Sequence, residues 1–290
     1  MTGANPRRAR FSLAAWLAVF AGLTGIGGTG TADVARASSA PAPIVDRFPG
    51  IAPAYALSID GRLTWGANLD TPRPPASLVK VLTALTLLAK DWQPDAAVTV
   101  SRRAADIEGS QVGLRTGERL RAFDLLTAML VRSGNDACLA LVEHAAGSLE
   151  AFLPLLNARA RELGLAASRF QHPCGLDAEG TRTTARDLLR LAEIAIAEPQ
   201  VALRGRTVEA RIVTLGGREI RFRNSNALIG RDPDAVGLKS GFTQRAGRCL
   251  MAVAERDGHR VVLVMLGADE RWWAASNLLV LGLAQAGAAP

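Results

Sequence analysis

Pro74-Pro75-Ala76-Ser77-Leu78-Val79-Lys80-Val81-Leu82-Thr83-Ala84-Leu85-Thr86-Leu87-Leu88-Ala89-Lys90 opens on two prolines that fix an extended approach, and no Gly or Pro follows until Pro94. The stretch predicts a helix starting near Ala76 or Ser77. Nearly every position is apolar or Thr, so no face is left for water and the helix belongs in the centre of the protein. Into it the sequence puts Ser77 and, three residues on, Lys80, a spacing that stacks both side chains on one face. At the first turn Ser77 also has free backbone N–H groups and the positive end of the helix dipole around it. A buried amine loses part of its preference for charge, so Lys80 can take the Ser77 proton and make that hydroxyl a nucleophile.

Ser-x-x-Lys recurs by chance, and the ordinary roles of such residues are a helix cap and a surface-seeking cation. Composition raises the chemical reading. Only three of the 34 basic residues are lysine, namely Lys80, Lys90 and Lys239. Arginine cannot serve as a proton acceptor. A chain that uses Arg almost wherever a plain positive charge suffices marks its few lysines as candidates for chemistry.

Working outward, the chain begins with Arg7, Arg8 and Arg10, an apolar run from Phe11 to about Leu23, and the small-x-small triplet Ala35-Arg36-Ala37. That order predicts a secretory signal peptide over residues 1–37, with cleavage after Ala40 as second choice. The apolar run can be stretched to Gly28, which keeps an uncleaved anchor as the alternative and as the one route to membrane association. Arg10 fits poorly with a twin-arginine signal, and the lack of any Cys before Cys138 excludes a lipidated N-terminal cysteine. Without the leader's four Arg and one Asp the net charge falls from +7 to +4, too modest for nucleic acid but suited to an anionic wall polymer or membrane. Residues 38–49, with Pro41, Pro43 and Pro49, read as a linker. Residues 50–290 read as one large domain.

In that domain, 54–59 and 62–65 around Asp60-Gly61 predict a hairpin. From about 95 to 200 the pattern is mainly helical. Helices are expected over 123–130, over 136–146, from about 149 to 163, and from 184 to 196, with Gly134 stopping the first. After 205 the period changes to strands: 208–215, 219–222, 236–241, and then 249–255 and 259–266 around Asp257-Gly258. A helix from about Arg271 to Leu283 follows. Strands at both ends imply one antiparallel sheet with an inserted helical lobe. Cys138, Cys174 and Cys249 show no metal-ligand spacing. Two of them can pair in an oxidising compartment, but the apolar surroundings of Cys138 and Cys249 favour reading those two as small core side chains. His144, His172 and His259 supply no triad and read as surface or loop residues. Trp272-Trp273 reads as a packing or membrane-edge feature.

Three pieces line up: Ser77 with Lys80, Ser133-Gly134-Asn135, and Lys239-Ser240-Gly241. With them the chain resembles the penicilloyl-serine transferases, whose hallmark is S-x-x-K, S-x-N and K-[ST]-G in this order. Ser133-Gly134-Asn135-Asp136-Ala137, Gly175-Leu176-Asp177 and Val236-Gly237-Leu238-Lys239-Ser240-Gly241-Phe242-Thr243 narrow the resemblance to the low-molecular-weight D-alanyl-D-alanine carboxypeptidases, over about residues 50–285.

The resemblance implies an α and β fold of DD-peptidase/β-lactamase type, an antiparallel five-stranded sheet flanked by helices. It implies catalytic roles for Ser77, Lys80, Ser133 and Asn135, with Ser133 relaying a proton to the leaving amine. Lys239, Ser240 and Gly241 would bind the substrate carboxylate, Ser77 and Phe242 would supply oxyanion N–H groups, and Arg271 matches an arginine that relatives hold near that carboxylate. No cofactor and no metal are implied. The implied partners are a peptidoglycan stem peptide and β-lactams, and the place of work is the periplasm or cell envelope. Cleavage of cross-links is the nearest rival. A class A β-lactamase fits less well, because Gly134 replaces the usual Asp and Glu179 lacks the expected neighbours. A non-hydrolytic sensor of wall or drug is the alternative from another class.

Overall fold

Asp60 and Gly61 both take positive φ (48° and 78°), the two-residue turn that matches strand twist, and so close β1 (Ala54–Ile59) onto β2 (Arg62–Ala67). Three later strands complete the sheet: β7 (Ala235–Thr243), β8 (Gly247–Arg256) and β9 (His259–Leu266). The order is β2-β1-β9-β8-β7, antiparallel throughout, so the five-stranded sheet is present as expected. Its centre joins the two ends of the described chain, with Leu57 opposite Leu263. The computed structural model describes residues 44–288 except Lys90, and these belong to one compact unit beginning at Pro43. The leader and residues 38–43 lie outside the described residues.

Side chains alternate across the sheet with period two. Ala54, Ala56, Met251, Val253, Val262 and Val264 face one core, which takes in α1 (Val79–Leu88). Tyr55, Leu57, Leu250, Ala252, Val261 and Leu263 face another, covered by Leu278, Leu279 and Leu283 of α8 (Arg271–Gly287). Both faces being covered explains why β8 and β9 read as nearly continuous apolar runs.

Between the sheet halves lie α2 (Arg102–Ala105), α3 (Ala122–Thr127), α4 (Asn135–Ala146), α5 (Leu149–Glu162), α6 (Ala185–Ala197) and α7 (Pro199–Gly205). The helical stretch does not stand apart as a lobe throughout, because α6 packs on β1 and β9. The strands after 205 do not all join one sheet. β5 (Glu209–Val213) and β6 (Glu219–Arg223) form a separate ribbon, and so do β3 (Ala97–Thr99) and β4 (Arg119–Arg121). Residues 44–49, read as linker, are fastened down: the Tyr55 hydroxyl donates to Asp46 at 2.9 Å and Phe48 packs edge-on against Trp65.

The cysteine reading needs correction. Cys138 is bonded to Cys174, with Cα atoms 5.9 Å apart, and Cys249 is the buried free thiol. Pairing depends on a distance that the sequence does not display, since α4 and the loop after residue 171 meet only through the tertiary fold.

Candidate active site

Ser77 sits in a 3₁₀ turn, Ala76–Leu78, that leads directly into α1. The helix therefore starts where expected but tighter than α for its first turn, after Ala76 takes φ 49°. Lys80 falls on the first turn of α1 and is fully buried. Its Nζ lies 3.0 Å from Ser77 Oγ and 2.6 Å from Asn135 Oδ1, and it donates to the Cys174 carbonyl.

Those three neighbours define the amine's chemistry. Asn135 Oδ1 and Cys174 O only accept, so they take two hydrogens. In the neutral amine nothing is then left toward Ser77 but the lone pair, the arrangement that receives the hydroxyl proton. Burial first, then the charge of Lys239, pushes the Lys80 pKa well below its usual value, against an opposing pull from Asp136.

Asn135 is held as firmly as Lys80. Its Nδ2 donates to Glu108 O at 2.7 Å and its backbone N–H to Ser110 O at 2.6 Å. The next residue, buried Asp136, accepts from the backbone N–H groups of Val112, Gly113 and Leu114, which wraps the 108–114 loop around the head of α4. Ahead of it, Ala128–Arg132 forms a π turn and Ser133 itself takes the left-handed conformation, φ 69°, while Gly134 does not. The expected helix stop is thus displaced by one residue. Ser133 is buried, and its hydroxyl makes no hydrogen bond among the described residues.

β7 forms the opposite wall. Gly241 passes so close to the turn carrying Ser77 that a Cβ there would lie 2.8 Å from Ser77 N, which explains the glycine. Lys239 is buried and donates to Ser240 O at 2.7 Å. Burial, and after it the charge of Arg271, brings the Lys239 pKa down to about 7. The Ser240 hydroxyl donates to Ser225, whose backbone N–H bonds Val131 O, so the 224–226 loop ties β7 to the helical side. The Phe242 side chain stands half-exposed at the rim. Arg271 donates to Gly241 O at 2.6 Å and to Cys249 O at 3.3 Å and stacks on Trp272. Both acceptors are backbone carbonyls, one on β7 and one on β8.

Sequence reasoning missed the Cys174 carbonyl, Ser225 and the half-buried His172, whose Nδ1 accepts from Cys174 N–H at 3.1 Å. Burial, then the charge of Lys80, lowers the His172 pKa to about 4, so the ring is neutral near pH 7. His172 reads from the sequence as a surface or loop residue, and an acceptor on the backbone leaves no residue signature. An apolar cavity of about 380 Å³ between Leu87, Trp92, Leu141 and Phe152 lies at the far end of α1, away from this chemistry.

The family model for D-alanyl-D-alanine carboxypeptidase matches residues 57–270. D-alanyl-D-alanine carboxypeptidase DacF of Bacillus subtilis is 32% identical over 214 residues, covering 72% of this chain and 55% of the relative. DacB2 of Mycobacterium tuberculosis is 32% identical, covering 87% of this chain and 88% of that one. The D-alanyl-D-alanine endopeptidase of Escherichia coli is 31% identical, covering 76% and 73%. Against DacF of Bacillus subtilis and DacC of Escherichia coli the chain spans only 55% and 58% of the relative's length. Among solved structures, the Streptomyces K15 DD-transpeptidase superposes with a TM-score of 0.76 at 26% identity, covering 81% of this chain and 97% of that one.

Proposed function

The chain belongs to the D-alanyl-D-alanine carboxypeptidase family, and we propose that it removes the terminal D-alanine from peptidoglycan stem peptides through an acyl-enzyme on Ser77. The observation that carries this reading is the Lys80 amine, with both hydrogens directed at carbonyl oxygens and Ser77 Oγ at 3.0 Å. Ser77 Oγ attacks the carbonyl between the two terminal D-alanines while its proton passes to Lys80 Nζ. Backbone N–H groups of Ser77 and Phe242 hold the developing oxyanion. Ser133 hands a proton to the leaving amine, D-alanine departs, and water releases the shortened peptide from Ser77. Lys239, with Ser240, holds the substrate's terminal carboxylate. The same hydroxyl is acylated by β-lactams and deacylates slowly.

The protein works outside the cytoplasm, in the envelope. The basic-apolar-small pattern of residues 1–37 supports export, and the Cys138–Cys174 bond suits an oxidising compartment. One test takes purified protein and its Ser77→Ala variant and follows D-alanine release from diacetyl-Lys-D-Ala-D-Ala together with labelling by a fluorescent penicillin. Release and labelling by the first only are expected; labelling of the variant at another residue would overturn the assignment. The second reading, cleavage of D,D cross-links, is favoured by the likeness to the Escherichia coli endopeptidase. It predicts no release from the linear peptide, intact penicillin labelling, and cleavage of cross-linked muropeptides.

A further inference from the structure

Lys80 has two hydrogen-bond acceptors besides the nucleophile, and they come from different parts of the chain. Asn135 belongs to the first turn of α4, while Cys174 belongs to the 172–177 loop. Cys138, one helical turn after Asn135, carries the sulfur bonded to Cys174. The covalent bond therefore links the two acceptors directly: one is the carbonyl of a bridged cysteine, and the other sits three residues from its partner. Neither cysteine is exposed. The loop is pinned from other sides as well. Thr83 of α1 donates to Pro173 O at 2.7 Å, His172 accepts from Cys174 N–H, and Gly175, at φ 82°, packs against the Ala76–Ser77 backbone. Among the described residues no hydrogen bond joins the loop to α4, and the disulfide is the tie that holds the two in register with the amine.

We propose that the Cys138–Cys174 disulfide is a positioning device for the base: it fixes the Cys174 carbonyl against the Asn135 amide oxygen, so that the Lys80 lone pair is aimed at Ser77. The proposal rests on Lys80 acting as base in the acyl transfer described above. Cys138 and Cys174 touch no substrate; they act through Lys80. Without the bond, the loop and α4 separate more freely, water reaches the amine, and the burial that favours its neutral form weakens. The charged or titratable groups facing Lys80 are Lys239 from β7, Asp136 from α4 and His172 from the loop, and none of these is altered by removing the bond. A change in the pH response would then come from the solvation and aim of Lys80 itself.

The experiment measures the second-order rate of acylation by benzylpenicillin from pH 5 to 10. It compares the intact protein with Cys138→Ala/Cys174→Ala and with Cys138→Val/Cys174→Ala, a pair that nearly conserves buried volume should the first fail to fold. Leu278→Ala, in α8 on the other side of the sheet, serves as a variant destabilised without touching the ring. The expected result is acylation at least tenfold slower at pH 7 in the disulfide-free protein. Its acidic limb should move upward by half a pH unit or more, and much of the rate should return at high pH. Leu278→Ala should lower the Tm and leave the limb in place. A disulfide-free protein that melts earlier yet keeps the rate and the limb would overturn the proposal and leave the bond a simple staple. Failure of the intact protein to react with penicillin would instead overturn the acyl-transfer reading on which the proposal stands.

Discussion

Lys80 on the helical wall and Lys239 on the sheet wall are both removed from solvent, but they are held in opposite ways. Lys80 is saturated. Its three neighbours, Ser77, Asn135 and Cys174, use every direction a lysine amine offers; burial and the charge of Lys239 favour the neutral form, and the two carbonyls, by taking its hydrogens, leave its lone pair on the serine. Lys239 is under-supplied, because Ser240 O is its only acceptor among the described residues. A buried ammonium with unfilled donors is costly to the protein alone and becomes favourable when an anion arrives. In the proposed mechanism one residue type thus serves as a base on the helical wall and as an anion receptor on the sheet wall.

The harshest way to break that contrast is Lys80→Arg, which keeps a cation but removes the proton acceptor. Acylation by penicillin should fall by about 10²–10⁴-fold, the range for a lost general base. Lys239→Gln tests the receptor role. Peptide turnover should drop by roughly 10- to 100-fold in kcat/KM, as expected for one charge-assisted hydrogen bond, while acylation by a β-lactam ester lacking the carboxylate should change far less.

The pH profile sharpens the comparison further. Lys80 must be neutral, so the rate falls as pH drops through its lowered pKa; Lys239 must be charged, so kcat/KM for a carboxylate substrate falls as pH rises past about 7. Arg271→Gln removes a positive neighbour that disfavours the charged form of Lys239. The alkaline limb should move to higher pH by a fraction of a unit, measured on diacetyl-Lys-D-Ala-D-Ala. The smallest effect is expected for Ser225→Ala, which removes one partner of the Ser240 hydroxyl: a change of about 1 kcal/mol or less in transition-state stabilisation, a few-fold in kcat/KM.

What could be read beforehand follows the same division. Ser77 and Lys80 lie one turn apart on a single helix, so local spacing is enough to bring them together, and the scarcity of lysine flags Lys239 from a distance. The central strands announced themselves through length and apolar content. β4 spans three residues, too short for any period to register, and α7 begins at Pro199, where a proline reads equally well as a stop. The position taking positive φ before α4 is Ser133, although Gly134 is the residue chemistry favours, because Gly134 is needed small: a Cβ there would press on Asp136 Oδ1 at 2.8 Å. The Cys138–Cys174 pair and the Cys174 carbonyl were illegible for one reason. Each acts through a position that only the assembled fold creates.

The pairing of β1 with β9 has a consequence for how the protein is made. Leu57 meets Leu263 in the middle of the sheet, so the strand that starts the domain must wait for almost the whole of it to emerge before it finds its neighbour. Such long-range pairing makes for high contact order and slow closure. A growing chain carries Ser77 and Lys80 on one turn from early on, yet it has no β7 edge against which a carboxylate could be bound. Synthesis therefore delivers Ser77 and Lys80 first, their partners Asn135 and Cys174 later, and Lys239 last, so a chain interrupted before β7 lacks the wall that carries Lys239.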